Sequence, residues 1–127
     1  MKFLKDFVVY RARAFSYAMQ GIITVVVSQP NMRIIAVAGV AAFLMGLVLD
    51  LDYLEWSFLL LAIFFIWMAE TFNSALEFVV DLVSPEFHPL AKNAKDAAAG
   101  GVLIAIFLSL CLGGLILLPK FIALFGE

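Results

Sequence analysis

The sequence predicts an all-α membrane protein, with an N-terminal amphipathic surface helix followed by three transmembrane helices, and three observations predict it. Hydrophobic residues make up 65% of the 127 residues and charged residues 14%, against roughly 45–50% and ~25% in a soluble domain. The mean hydropathy is +1.10. No charge lies between Arg33 and Asp50, between Glu55 and Glu70, or between Asp96 and Lys120, and these gaps are near the ~17–25 residues that a helix needs to cross a bilayer. Nearly all of these residues therefore read as membrane helix, which leaves no room among them for a soluble nucleotide-binding, protease or DNA-binding domain. A net charge of −2 without any basic block argues against nucleic acid as a partner. Cys111 is the single cysteine, so no intrachain disulfide can form.

The surface helix is placed at residues 2–28. At about 100° per residue, Asp6, Arg13, Tyr17, Gln20 and Thr24 share one narrow polar strip, and Phe3, Leu4, Phe7, Phe15, Ile22, Ile23 and Val26 cover the rest. Such a helix lies in the membrane interface or packs on a bundle. It does not read as a signal peptide, because Arg11 and Arg13 interrupt the apolar stretch and no small-residue cleavage site follows. Ser28-Gln29-Pro30-Asn31 then breaks the pattern: Pro30 biases Gln29 away from helical geometry and is itself suited to the first turn of a new helix.

The first crossing is placed at 32–49, and Asp50-Leu51-Asp52-Tyr53 is a short acidic turn that forces an antiparallel neighbour. A second helix, 54–83, is longer than a membrane requires, so one end should project. Pro85 and Pro89 mark a loop over 84–95, after which Lys95-Asp96 opens a third crossing, 96–124. Lys2, Lys5, Arg11, Arg13, Arg33, Lys92 and Lys95 fall on one side of the membrane and Lys120 alone on the other. The excess of Lys and Arg puts the N-terminus and the 84–95 loop in the cytoplasm and the C-terminus outside. Small residues recur at every fourth position in Ala97, Gly101, Ala105, Ser109 and Gly113, and in Ala38, Ala42 and Gly46. They allow close helix approach, within the chain or between copies.

The residues that carry chemistry lie in Glu70-Thr-Phe-Asn-Ser-Ala-Leu-Glu-Phe-Val-Val-Asp81. Relative to Glu70, a helix puts Asn73 at about −60°, Ser74 at +40°, Glu77 at −20° and Asp81 at +20°, all on one face. Counting ~1.5 Å per residue from Leu54 places this face where the ~30 Å hydrocarbon core ends. Ionisable residues in a crossing are costly and point to function, and three carboxylates on one face call for a cation, a proton or another neutralising partner. Solvation at the interface would be enough for Glu77 and Asp81, but Glu70 follows a long charge-free run. At the start of the third crossing, Lys95-Asp96 would combine a lysine with a helix N-terminus, an arrangement suited to phosphate. Beside a carboxylate cluster able to hold a divalent cation, it points to a phosphorylated ligand at the membrane surface. No GxxxxGK stretch is present, so a nucleotide site here is not a P-loop. His88, between Phe87 and Pro89, reads as structural or solvated, and Tyr53, Trp56 and Trp67 as interfacial or packing residues.

Glu70-x-x-Asn73-Ser74-Ala-x-Glu77-x-x-x-Asp81, followed by Phe87-His88-x-Leu90-Ala91-Lys92-x-Ala94-Lys95-Asp96-x-x-Ala99-Gly100, resembles the prokaryotic diacylglycerol kinase and undecaprenol kinase family. Ala14-Phe15-x-Tyr17-Ala-x-x-Gly21 and Asn31-x-Arg33-Ile34 extend the resemblance over nearly the whole chain. The resemblance implies a homotrimer in the bacterial inner membrane, with sites shared between subunits, that transfers the γ-phosphate of ATP to the hydroxyl of a membrane lipid alcohol with Mg2+ as cofactor. By position it makes Glu70 the general base and Glu77 a metal ligand that also meets the nucleotide. Asn73 supports the base or the phosphate, and Arg13, Lys95 and Asp96 engage the nucleotide. Ser74 and Asp81 take supporting, lipid-contacting or structural roles. Gln29 departs from the pattern: it stands where a metal-binding glutamate is expected, and an amide is a weaker magnesium ligand than a carboxylate. The substrate is undecaprenol or diacylglycerol, with Lys92-Asn93-Ala94-Lys95-Asp96 and Glu55-Trp56 closer to the undecaprenol branch. The alternatives are a channel or transporter subunit with Glu70 and Glu77 along an ion path, and a catalytically inactive relative marked by Gln29.

Overall fold

Four helices account for nearly all of residues 2–125, which are the residues described by the structure, a computed structural model. They are α1 (Lys2–Ser28), α2 (Pro30–Val48), α3 (Tyr53–Val83) and α4 (Pro89–Phe125). The last three are long and apolar enough to cross a membrane. The chain is therefore the expected all-helical membrane protein.

The break between α1 and α2 is a single residue. Gln29 is extended, with φ −103° and ψ 114°, and Pro30 occupies the first turn of α2, where its missing N–H would have had no partner anyway. Arg33 reaches back over this break and donates from Nε to Val26 O at 3.3 Å and from Nη2 to Val27 O at 2.8 Å. The last carbonyls of α1 lack intrahelical donors, so a guanidinium satisfies them and complements the negative end of the helix dipole. Among the residues of α1 whose burial is described, most are exposed and Val25 is buried.

The α2–α3 turn is built from acidic residues. Asp50 adopts φ 50°, a left-handed conformation that Asp tolerates better than most side chains. Asp52 Oδ1 accepts from Leu54 N at 2.8 Å and Glu55 N at 2.9 Å, while Glu55 Oε2 accepts from Asp52 N at 2.8 Å. This capping box is legible in the Asp-x-x-Glu spacing, and such a cap contributes about 1 kcal/mol. Lys120 of α4 joins the same turn, with Nζ 2.7 Å from Glu55 Oε2 and 3.0 Å from Asp50 O. The solitary cation at this end of the bundle thus neutralises the local acidic turn.

Near that turn Leu49, Leu51 and Leu59 form a buried cluster, with Trp56, Ile63 and Leu117 packed around it. Gly46 is required there. A Cβ on it would lie 2.9 Å from Trp56 Cη2 and 3.1 Å from both Leu51 Cδ1 and Leu59 Cδ2, so all three would have to move together. Gly46→Ala is expected to destabilise the protein by about 1–3 kcal/mol, as overpacking does. Thermal unfolding in detergent checks this, and an unchanged midpoint would contradict it.

Both α2 and α4 lean on α3 and touch each other little. Between them runs an apolar groove of about 610 Å³, whose walls include Ile35, Gly39, Ala42, Ile63 and Gly113. Ser109 Oγ donates to Ala62 O at 2.9 Å across the α3–α4 contact, and Ala105 is buried against it. Part of the small-residue stripe on α4 therefore serves intrachain packing. Gly101 and Gly113 face open space.

The third crossing does not open at Lys95-Asp96. The helix begins at Pro89, so the connection is residues 84–88 rather than 84–95. Pro89 again sits in a first turn, and His88 supplies the cap: its Nδ1 accepts from Leu90 N at 3.2 Å and its carbonyl from Lys92 N at 3.0 Å. Lys95 and Asp96 consequently lie in the second turn, where main-chain amides are spent on intrahelical bonds, so the helix N-terminus expected beside Lys95 is not there. The other boundaries shift by one or two residues, since Pro30 and Tyr53 are themselves helical.

Candidate active site

The length of α3 sets the position of the site. Its 31 residues span roughly 46 Å at 1.5 Å per residue, so the helix must leave a ~30 Å hydrocarbon core at one end. Within the turn that approaches that boundary lie the buried polar side chains among the described residues: Glu70 is 2% exposed, Asn73 8% and Ser74 0%. Polar burial concentrated in one turn of a membrane helix costs free energy and marks a place with a task.

Each of the three side chains is used differently. Ser74 Oγ donates to the main-chain oxygen of Glu70 at 2.8 Å, so the hydroxyl is spent on backbone and not on the carboxylate. Asn73 Nδ2 donates to Glu77 Oε1 at 3.3 Å. Glu70 Oε2 and Asn73 Oδ1 are buried without a hydrogen-bond partner. Two acceptor oxygens one turn apart therefore await donors, and a ligand hydroxyl or a cation is the chemistry that satisfies such atoms.

Glu77 is half-buried and joins two parts of the chain. Its Oε2 accepts from Gln29 Nε2 at 3.3 Å, across a separation that the sequence alone does not specify. The break before Pro30 delivers Gln29 to this point, because the extended residue at the helix junction directs its side chain toward α3.

Asp81 and Lys95 form a second, more exposed cluster. Lys95 Nζ lies 2.5 Å from Asp81 Oδ1, while Lys92 pairs with Asp96 one helical turn away. Lys95 and Asp96 are thus not a pair. Adjacent helical residues point about 100° apart, so Lys95 meets α3 and Asp96 turns back along α4. A cleft of about 290 Å³ sits here, lined by Asp81, His88, Lys92, Lys95 and Asp96 among others.

The expected cluster of three carboxylates does not converge. Glu70, Glu77 and Asp81 share a face, but the ~1.5 Å rise separates them by roughly 10 Å and 6 Å along the axis. Each finds a different environment: burial for Glu70, two amides for Glu77, a lysine for Asp81. Among the described residues no group of three or more His, Cys, Asp or Glu side chains gathers as a metal cluster. Arg13 is exposed on α1, roughly 18 Å along the helix from Val25, and the chain itself does not bring it to α3. The role of His88 as a cap was not read from the sequence, although His-Pro before a helical run is a start signal.

Comparison with known proteins converges on one family. A model of the family described as prokaryotic diacylglycerol kinase matches residues 16–117, a stretch that holds every site residue named above except Arg13. The chain is 38% identical over 108 residues to an undecaprenol kinase of Bacillus subtilis (strain 168), covering 85% of this chain and 88% of that protein. It is 39% identical over 112 residues to a diacylglycerol kinase of Synechocystis sp., covering 87% of this chain and 64% of the relative. A diacylglycerol kinase of Escherichia coli (strain K12) is 31% identical over 97 residues, 76% of this chain and 80% of the relative. Matched by the family model over most of its length, and by relatives more than 30% identical over at least three quarters of its residues, the chain belongs to the prokaryotic diacylglycerol kinase family.

Proposed function

We propose that this chain, a membrane lipid kinase by its family, transfers the γ-phosphate of ATP to the hydroxyl of undecaprenol or diacylglycerol at the cytoplasmic face of the bacterial inner membrane. The observation that carries the reading is Glu70, a carboxylate buried in a membrane-spanning helix with one oxygen lacking a donor. A lipid hydroxyl supplies that donor. Glu70 takes the hydroxyl proton as the lipid oxygen forms its bond to the γ-phosphorus, the bond to the bridging oxygen breaks, and ADP leaves. Phosphoryl transfer asks for positioning and charge stabilisation rather than elaborate covalent chemistry, so a few side chains at the end of a membrane helix suffice.

The remaining residues divide the work. Lys95 is the cation that meets the phosphates once it leaves Asp81, and Asp96 and Arg13 contact the nucleotide, Arg13 from a neighbouring copy in a homotrimer with shared sites. The side chains around Glu77 fit a magnesium ion that arrives with the nucleotide. Magnesium takes hard oxygen donors, typically one or two carboxylates plus substrate phosphates; here one carboxylate is present, with the amides of Gln29 and Asn73 turning their nitrogens to it, and Asn73 Oδ1 is buried without a partner. When bound, the ion neutralises phosphate charge. The distribution of Lys and Arg supports a cytoplasmic N-terminus and an external C-terminus. Family membership favours this kinase over a channel or transporter subunit and over an inactive relative.

The test is ADP release by the purified protein in lipid micelles with magnesium-ATP, comparing undecaprenol, diacylglycerol and no added lipid. Lipid-dependent release is expected, and the faster of the two lipids identifies the substrate branch. A folded oligomer that releases no ADP with either lipid would overturn the reading.

A further inference from the structure

We infer that Gln29 is a positioning residue that holds Glu77 in place without a cation, so that this chain presents a single carboxylate to a single divalent ion and binds that ion only together with nucleotide. The inference rests on the kinase reading for the nucleotide, but the geometry behind it concerns this chain alone.

Both oxygens of Glu77 accept from neutral amides: Oε2 from Gln29 Nε2 and Oε1 from Asn73 Nδ2, each at 3.3 Å. The cations of the neighbouring helices are engaged elsewhere. Lys95 is on Asp81, Lys92 on Asp96 and Arg33 on the α1 carbonyls. The two amides come from different places, Asn73 one turn away on α3 and Gln29 from the α1–α2 junction, so together they fix the carboxylate against rotation as well as translation.

The junction that carries Gln29 is itself held. Gln29 N donates to Val25 O at 2.9 Å, Pro30 restricts Gln29 before it, and Arg33 ties Val26 and Val27. The side chain of Gln29 makes no cap bond to α2, and its bond to Glu77 is therefore its structural use. A carboxylate at position 29 would face Glu77 at hydrogen-bond range with no cation between them, and like charges so placed repel. With glutamine the contact closes with no ion present.

Cation binding then has a defined consequence. An ion at Glu77 must displace one or both N–H donors, and an amide that turns by half a revolution offers its oxygen in place of its nitrogen. One carboxylate and neutral amides are a weak site for a divalent cation, whose affinity follows ligand charge. Phosphate oxygens have to supply the remaining negative charge, so ion and nucleotide bind as a unit.

The test measures Mn2+ binding by electron paramagnetic resonance on the full-length protein in micelles, first without nucleotide and then with a non-hydrolysable ATP analogue. Wild type is expected to leave Mn2+ free in the absence of nucleotide and to bind one ion per chain in its presence. Gln29→Glu is expected to bind Mn2+ without nucleotide at least on the order of tenfold more tightly than wild type. Gln29→Ala, which removes the clamp without adding charge, is expected to leave Mn2+ free without nucleotide and to raise KM for magnesium-ATP several-fold more than it lowers kcat. Wild type that binds Mn2+ without nucleotide as tightly as Gln29→Glu, two ions per chain in the wild-type nucleotide complex, or Gln29→Ala with an unchanged KM would each overturn the inference. These readouts are separate from lipid turnover: wild type that binds nucleotide and Mn2+ as expected but phosphorylates neither lipid would overturn the substrate reading and leave the clamp standing.

Discussion

Glu70→Gln is expected to lower lipid-dependent ADP release by about 10²–10⁴-fold, the contribution of a well-placed general base, while the protein remains folded and continues to bind nucleotide. The substitution keeps the shape of a side chain that is 2% exposed, so the packing of α3 against its neighbours is preserved. It removes the ability to accept the hydroxyl proton. The Ser74 bond runs to the main-chain oxygen of residue 70 and survives the change, which keeps the local helix intact. The measurement compares kcat for wild type and variant with undecaprenol and with diacylglycerol, alongside thermal unfolding in the same micelles. A variant that is stable and retains more than about a tenth of the rate would exclude Glu70 as the base.

Lys95→Met is expected to cost about 10²–10³-fold in kcat/KM for ATP, the range for removing one donor that stabilises transferred charge, with little loss of stability. The argument turns on exposure. The Lys95–Asp81 pair has side-chain exposures of 37% and 64%, and an exposed pair is worth about 0–1 kcal/mol after screening. A structural role for Lys95 therefore predicts a small effect on everything, whereas a phosphate-binding role predicts a large effect on ATP alone. Asp81→Asn separates the two further: it breaks the same pair but leaves the cation free for nucleotide, so ATP kinetics should change little. Equal losses in Lys95→Met and Asp81→Asn would show that the ion pair, not the lysine, is what the site needs.

Much of this protein is legible in its sequence because a membrane imposes one-dimensional rules. Long charge-free runs have to be helices that satisfy their own backbone, and that requirement places α2, α3 and most of α4 without any knowledge of contacts. Proline at a first turn marks two helix starts, at Pro30 and Pro89, for the same local reason. The second is harder to see, because Pro85 and Pro89 together resemble a loop and the cap on α4 comes from His88, a residue uncommon in that role. Helical periodicity also gathered Glu70, Asn73, Ser74, Glu77 and Asp81 on one face, which is a property of the 3.6-residue turn alone.

Sharing a face is not sharing a site, and that distinction was decided by tertiary structure. Axial rise keeps the three carboxylates apart, and what each does depends on which neighbouring element reaches it: none of the cations for Glu70, Gln29 for Glu77, Lys95 for Asp81. Lys95 and Asp96 are adjacent in sequence yet take different partners, Asp81 on α3 and Lys92 on α4, because a helix turns by about 100° between them and α3 stands on one side of α4 only. The sequence by itself determined the membrane architecture and the kind of residue available for chemistry, since both follow from local hydropathy and helical period. The burial of Glu70 and the hold of Gln29 on Glu77 were decided only when α1, α2 and α4 came to rest against α3, because contacts between elements far apart in the chain depend on how helices pack and not on any period within them.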